Sequence, residues 1–450
     1  MNRLHPPATV LEIAERLESA GFETWCVGGA IRDALLGHPH LDWDLATSAT
    51  PAQVRTLFGN RQTIPVGVEF GTVGVLDREG HMHEVTTFRR DVHTDGRHAV
   101  VEFGASLDED LARRDFTINA IAYSPRTREV RDPFAGRADL ERKIVRAVGN
   151  PDDRMREDRL RALRAIRFAA RFGFALDSAT KHAIERSAPF LGRLSPERVK
   201  QELDKTMEQV ACPSAALVVW QETGAFRSLI PQLDAVPRDV LRVVDFLAQP
   251  GLPRRPGRRA LRYAGLLASL QTNAAAEVMT GLRSSRQEIQ LVSTLVDRWQ
   301  NVGPEMQRAL VEAGPIADGA VRRWASRISR LQIGAFMRLA DAVWTAKRET
   351  SRQAPSPRTI RSLYRRLLVS AFRDPIDLGS LAADGDDLRR AGIPPGPMLG
   401  RILNGLLVAV LEDPARNTTD WLLQEARRMF AADPSASPPG GEGAGGQSVR

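Results

Sequence analysis

VGGAIRDALLGHPHLDWDLAT, residues 27–47, decides how the N-terminal part of this chain is read. The short apolar run Thr24–Val27 ends in a glycine pair, Gly28-Gly29, that opens a short helix; two aspartates, Asp42 and Asp44, follow. On a strand, positions i and i+2 point the same way, so both carboxylates project from one face. Paired hard oxygen ligands suit Mg²⁺, which takes a few carboxylates together with substrate phosphates. Gly28 and Gly29 leave room for a phosphate to approach backbone N–H groups near a helix start, and Arg32 pairs with its charge. A Gly-Gly turn or an Asp-x-Asp strand end is common and needs no function on its own. Their conjunction, with Arg32 between them, points to a metal–phosphate site.

Outward from this stretch, short β-type runs alternate with short helices from Glu23 to Val148: ETWCV, DWDLA, QTIPV, FGTVGVLD and HMHEVTTF. Upstream, the spacing predicts a helix over Ala8–Ala20, with Val10, Leu11, Ala14 and Leu17 apolar and Gly21 ending it. From Asp153 the period becomes 3.6 residues: MREDRLRALRAIRFAARFGF reads as one long arginine-studded helix, and SPERVKQELDKTMEQV as another capped by Ser195. The pattern predicts an α/β or α+β head over 1–148, then helical segments over 149–250 and 251–432. A Pro-, Gly- and Arg-rich joint spans 249–259, and a further break lies at 353–357. The Gly-, Ser- and Pro-rich end from Asp433 reads as disordered.

At 450 residues the chain exceeds what one core usually holds. It is 42% hydrophobic and 26% charged, the balance of a folded protein. Sixty-three Lys and Arg against fifty-five Asp and Glu give a formal +8, and the pI near 10.1 favours polyanionic partners, nucleic acid before anionic membrane. Nowhere do about eighteen apolar residues run uninterrupted, and the N-terminus lacks a signal-peptide core, so neither a membrane span nor export is expected. Cys26 and Cys212 form no Cys-x-x-Cys pair, which fits a reducing cytoplasm; Cys26, in an apolar strand, reads as a buried inert thiol. No Gly-Lys-Ser or Gly-Lys-Thr closes a glycine-rich loop, which disfavours a P-loop phosphotransferase, and no His-Asp dipeptide marks an appended phosphohydrolase domain.

Later motifs carry their own chemistry. Glu84 stands on a strand expected beside that of Asp42 and Asp44, while His81 and His83 read as exposed strand residues. RRDFTINA sets Arg113, Arg114 and Asp115 just before an expected apolar helix, a cap that also brings guanidinium groups toward phosphate. In REDRLRALRAIRF, Asp158 falls one turn before Arg161 on the same helix face, a carboxylate and an arginine placed to read a base edge. A solvated, ion-paired face explains the same stripe without function.

GGAIRDALLG followed by DWDLAT resembles the signature of the DNA polymerase β-type nucleotidyltransferases, and more narrowly the class II tRNA nucleotidyltransferase and bacterial poly(A) polymerase family. The resemblance continues through FGTVGV, HEVTTFRRD, RRDFTINAIAY, DPFAGRADLERKIVRAVG and REDRLRALRAIRFAARFGF, covering 24–203. It implies an α+β fold: a small nucleotidyltransferase head with a mixed β-sheet, then all-α neck, body and tail. It implies that Asp42 and Asp44 hold Mg²⁺, with Glu84 as a third carboxylate, and that Gly29, Arg32, Arg114 and Asp115 contact the nucleotide, with Asn119 holding the motif. Glu157, Asp158 and Arg161 align with residues that select ATP or CTP by Watson–Crick-like hydrogen bonds, and Arg164 and Arg167 with further nucleotide-binding or supporting positions. The implied reaction is attack of an RNA 3′-hydroxyl on the α-phosphate of CTP or ATP, with two-metal assistance and loss of pyrophosphate.

CCA addition to the tRNA 3′ end and A-tailing of RNA are rival activities within this resemblance. The long segment 89–111 resembles the flexible loop of CCA-adding members, and Gly67-Val68-Glu69-Phe70 lacks the basic pair of poly(A) polymerases; both favour CCA addition. Partial C- or A-adding enzymes and a non-catalytic RNA binder stand behind it. Arg254, Arg255, Arg258, Arg259 and the helix-like RTIRSLYRRLL from Arg358 offer phosphate contacts to tRNA, or solvated helix faces.

Overall fold

The structure, a computed structural model, describes residues 4–38, 43–94, 99–247, 258–312, 314–351 and 353–432. Two compact units are present, residues 1–248 with 277–286 and residues 249–276 with 287–450.

The first unit is built on a seven-stranded mixed sheet. Its strands are β1 (Thr24–Val27), β2 (Asp44–Thr47), β3 (Thr63–Pro65), β4 (Thr72–Leu76) and β5 (Met82–Thr87). β6 (Arg89–Thr94) and β7 (Ala99–Phe103) pair only with each other, and β8 (Ala122–Tyr123) and β9 (Val130–Arg131) complete the sheet. The order is β3-β4-β5-β2-β1-β8-β9, with β2 and β5 parallel and every other neighbouring pair antiparallel. Leu45 pairs with Val85, both fully buried. Because side chains alternate, the preceding residues Asp44 and Glu84 stand side by side on the opposite face.

Helices follow the expected mixture. α1 (Ala8–Ser19) packs Val10, Ile13, Ala14 and Leu17 inward; Leu11, expected in that stripe, is 39% exposed because Ile13 completes the 100° face instead. α2 (Gly29–Leu35) follows β1, and α3 (Pro51–Phe58) opens with a Thr50–Gln53 capping box. α4 (Leu107–Ala112) and α5 (Gly136–Arg142) belong to the head, and α6 (Pro151–Glu157), α7 (Leu160–Phe172), α8 (Ser178–Ser187) and α9 (Pro196–Gln209) form the helical continuation.

Three local expectations are corrected. The long helix expected from Asp153 breaks at Asp158, which is extended (φ −146°, ψ 105°), because its Oδ1 accepts the Leu160 N–H at 3.0 Å in a local turn that competes with the helix ladder. After Asp115 comes a single 3-10 turn, Thr117–Asn119, and then β8; the apolar residues Phe116, Ile118 and Ile121 are all fully buried, so their run serves the core and not a helix. Segment 89–111, read as a loop, is the β6–β7 hairpin followed by α4. Ser195 does sit at the N-cap of α9, but its side chain makes no capping bond.

The second unit is all helical among the described residues. Helices Asp318–Ile328 and Ile333–Thr350 bury Trp324, Phe336 and Trp344, and Trp299 meets Trp344 edge-on at 5.9 Å. A smaller core of Leu388, Ile402, Leu406, Val410 and Leu422 lies toward the end of the chain. The segment from 433, and Arg254 and Arg255 in the joint, lie outside the described residues.

Candidate active site

One cleft of about 670 Å³ in the first unit gathers most of the residues singled out from the sequence. Gly28, Gly29, Arg32, Asp44, Glu84, Arg114, Asp115, Asn119, Asp158, Arg161, Arg164 and Arg167 all line it. Asp42 lies outside the described residues. Glu157 does not line the cleft; its two oxygens hold Arg154 at 2.5 Å and Arg161 at 2.6 Å. Among the described residues the lining carries nine Arg and Lys against four Asp and Glu, so it favours a polyanion.

The glycine turn is forced by its surroundings. Gly28 has φ +77°, and a Cβ there would stand 3.0 Å from Arg114 Nη1. Next to it, Arg32 is only 4% exposed: Nε donates to Asp33 Oδ1 at 2.7 Å and Nη1 to Asn119 Oδ1 at 2.5 Å. Its guanidinium carbon also sits 5.0 and 4.8 Å from the ring centres of Phe168 and Phe172, which stack on each other. Burial lowers the Arg32 pKa from its ordinary value.

Asp110 and Asp115 organise the arginines around them. Asp110, fully buried, accepts from Arg113 Nη2 at 2.7 Å and Arg114 Nη2 at 3.2 Å. Burial alone would raise its pKa, but the two guanidinium groups hold the carboxyl below the usual range. Asp115 Oδ2 takes both Nε and Nη2 of Arg164, at 2.9 and 2.7 Å; its Oδ1 takes Asn119 Nδ2 and the Phe116 N–H, both at 2.9 Å. Here too burial opposes the charge, while Arg164 and Asn119 hold the carboxyl low.

The α6–α7 junction supplies the other wall. Asp158 Oδ2 accepts from Arg198 Nη2 at 2.8 Å. Arg161 donates to Glu157, to the Arg154 carbonyl at 3.1 Å and to the Arg113 carbonyl at 3.0 Å. Asp158 and Arg161 are therefore both in the cleft, though on a broken segment instead of one helix face. Arg167 is 3% exposed and donates through Nε to Glu202 Oε2 at 2.7 Å.

Several lining residues escaped the sequence reading. Arg89, Phe168, Arg171, Lys205 and Gln209 also face this cleft, beside Arg113, which the sequence had marked. For Arg171 the signal was present, since it continues the stripe of Arg164 and Arg167; Lys205 and Gln209 arrive on α9 through tertiary packing. The histidine expectation needs correcting at one position: His81 is exposed, but His83 is buried, with Nε2 3.1 Å from Asp77 Oδ2. Cys26 is fully buried, and burial pushes its thiol well above the ordinary value, which fits an inert core residue.

Among the described residues no group of three or more His, Cys, Asp or Glu is placed to hold a metal. Asp44 and Glu84 nevertheless supply two neighbouring carboxylates on the cleft face, hard oxygen donors of the type a divalent Mg²⁺ accepts alongside substrate phosphate.

Family sequence models match three consecutive stretches: the poly A polymerase head domain at 24–146, the probable RNA- and SrmB-binding site of polymerase A at 173–236, and a putative tRNA nucleotidyltransferase domain 2 at 258–426. The chain is 32% identical over 422 residues to the CCA-adding enzyme of Limosilactobacillus fermentum, covering 93% of this chain and 96% of that one. The chain belongs to the CCA-adding enzyme family. A second family member, from Lactiplantibacillus plantarum, is 35% identical over 421 residues, 93% of this chain and 95% of its own. The crystal structure of the Bacillus stearothermophilus CCA-adding enzyme in complex with CTP superposes with a TM-score of 0.70 at 32% identity, covering 94% of this chain and 99% of that one. Family likeness thus extends well past residue 203, where the recognisable motifs end, into helices whose sequence showed only periodicity. No described helix is long and apolar enough to cross a membrane.

Proposed function

We propose that this protein is a CCA tRNA nucleotidyltransferase, which adds C, C and A to the tRNA 3′ end from CTP and ATP without a nucleic-acid template and releases pyrophosphate. The observation that carries this reading is one strongly basic cleft that brings the carboxylates of adjoining strands, Asp44 and Glu84, together with Arg114, Asp115, Asp158 and Arg161.

In this reading Asp42 and Asp44 would hold Mg²⁺ with Glu84 beside them, and the charge so held would favour deprotonation of the attacking hydroxyl and offset the charge of the leaving pyrophosphate. The backbone at Gly29 and the guanidinium groups of Arg32 and Arg114 take the triphosphate. Asp115, fixed by Arg164 and Asn119, positions the sugar. Asp158 accepts from an exocyclic amino group and Arg161, steadied by Glu157, donates to a ring nitrogen or carbonyl, so C and A are admitted while U and G are refused. Arg164 and Arg167 act through Asp115 and Glu202 as supports. The division into head (1–148), neck (149–250) and body with tail (251–432) belongs to this reading, as does a cytoplasmic site of action on tRNA. For the tRNA itself, Arg358, Arg361 and Arg365 are exposed on helix Pro357–Arg373, a spacing that supports phosphate contacts along one face.

The test is incubation of the purified chain with Mg²⁺, labelled CTP or ATP, and tRNA transcripts ending before CCA, after C or after CC. Extension of all three to CCA, followed by arrest, is expected. Long A tracts would replace this reading with a poly(A) polymerase, extension by C or A alone with a partial enzyme, and no extension with an RNA binder.

A further inference from the structure

We propose that Arg198, on α9, is a positioning residue for nucleobase selection, acting by fixing the orientation of the Asp158 carboxylate. The inference rests on the reading of Asp158 and Arg161 as the base-reading pair.

Asp158 lies between two helices in extended backbone; its N–H still donates to the Arg154 carbonyl at 3.3 Å and its carbonyl accepts the Arg161 N–H at 3.0 Å, so the backbone is anchored while the side chain needs its own partners to be oriented. Its carboxylate is attached at both ends: Oδ1 accepts the Leu160 N–H at 3.0 Å, and Oδ2 accepts Arg198 Nη2 at 2.8 Å. The first contact is local and leaves the carboxylate plane free to turn, because a terminal sp³–sp² torsion is broad. The second, from a helix forty residues away, fixes that plane. Each carboxylate oxygen has two lone pairs, so both can be tied to the protein while one still accepts from a base. Arg161 is tied in the same manner, to Glu157, to the Arg154 carbonyl and to the Arg113 carbonyl. Arg198 does not itself line the cleft.

The direction of that carboxylate is what separates bases. C and A present an exocyclic amino donor; U and G present a carbonyl acceptor at the corresponding place, which meets a fixed carboxylate as two acceptors facing each other. Refusal of the wrong base depends on leaving polar groups unpaired, and a carboxylate able to swing aside escapes that cost. Arg198 therefore contributes to discrimination more than to turnover.

The experiment uses full-length protein with tRNA transcripts ending before CCA for CTP and UTP, and ending after CC for ATP and GTP. Values of kcat and KM are measured for CTP and ATP, and for misincorporation of UTP and GTP, in the unaltered chain and in Arg198→Met, Arg198→Gln, Asp158→Asn and Asp158→Asn/Arg198→Met. Arg198→Met is expected to lower the preference in kcat/KM for CTP over UTP by about tenfold or more. In the Asp158→Asn background the same change should alter the preference no further, since the two residues act as one unit. Equal losses for CTP and UTP, or additive effects in the double variant, overturn the proposal. The Arg198 side chain is 31% exposed, so its replacement does not empty the core. Arg198→Gln, which keeps a polar side chain without the charged contact, should show the same relaxed preference, and an unchanged preference in that variant also overturns it. If the unaltered chain adds neither C nor A, the functional reading and this inference fall together. If it adds both and refuses UTP, and the Arg198 variants refuse UTP equally well, only the inference fails.

Discussion

Arg164 grips Asp115 through two donors on one oxygen, Nε at 2.9 Å and Nη2 at 2.7 Å, so a residue of α7 holds a residue of the head motif forty-nine positions earlier. This pair joins nucleotide chemistry to folding stability, because the Asp115 side chain is only 11% exposed. Replacing Arg164 by Met leaves a nearly buried carboxylate short of its main partner and is expected to cost about 2–4 kcal/mol.

The same pair sets an acid dependence. The folded Asp115 carboxyl is held below its unfolded value, so its contribution is fully present above the unfolded pKa and is lost as pH falls through the folded one. The difference in unfolding free energy between the unaltered chain and Asp115→Asn should be constant from neutral pH down to about pH 5 and shrink on further acidification. Urea titrations at a series of pH values measure it, and a gap that widens in acid contradicts it.

Arg167 and Glu202 form the most buried ion pair of the arginine row, 2.7 Å apart with side chains 4% and 2% exposed. Arg167→Met alone should destabilise by about 3–5 kcal/mol, whereas Arg167→Met with Glu202→Leu should regain most of that loss, since an uncompensated buried charge is worse than an apolar pair. Lys205 at 3.4 Å and Arg164 at 3.8 Å from Glu202 moderate the single-variant effect. Melting curves of the unaltered chain and the two variants decide the matter.

Gly28→Ala combines backbone strain with a crowded neighbour. Its φ of +77° costs a non-glycine residue roughly 1–2 kcal/mol. The added methyl also stands 3.0 Å from Arg114 Nη1 and displaces that guanidinium. We expect KM for CTP and ATP to rise by about tenfold, well beyond the change in thermal stability, measured by steady-state kinetics beside a melting curve.

Asp44→Asn and Glu84→Gln keep size while removing charge from the cleft face. Each should lower nucleotide addition by about a hundredfold or more while leaving the melting temperature nearly unchanged, because neither side chain is part of the core. Chelation of divalent ions with EDTA should abolish addition in the unaltered chain, and excess Mg²⁺ should restore it. Full activity in either variant removes that residue from the proposed chemistry.

The strands of the head were legible because short apolar runs such as TWCV and FGTVGVLD stand between glycine and charge, and so short a run, rich in β-branched residues and bounded by turn residues, is too brief for a helix. The junction at Asp158 was not legible: REDRLRALRAIRF satisfies a helical period throughout, and only the bond from Asp158 to the Leu160 N–H stops the first helix. Likewise the apolar residues of FTINAIAY carry no mark that separates a helix from a buried turn and strand, since burial all round removes periodicity. His83 looked like its neighbour His81 until the fold buried His83 within β5 and left His81 exposed in the turn just before that strand.

By itself, the sequence determined the chemical inventory: a glycine turn, acidic residues two apart, and a row of arginines, each recognisable because few other side chains do the same work at that spacing. Tertiary structure decided which of these are spent on one another. Arg167 and Glu202, Arg164 and Asp115, and Arg198 and Asp158 are thirty-five or more residues apart. An ion pair of such separation is set by how helices pack and by the cost of leaving a charge buried alone, neither of which local spacing encodes.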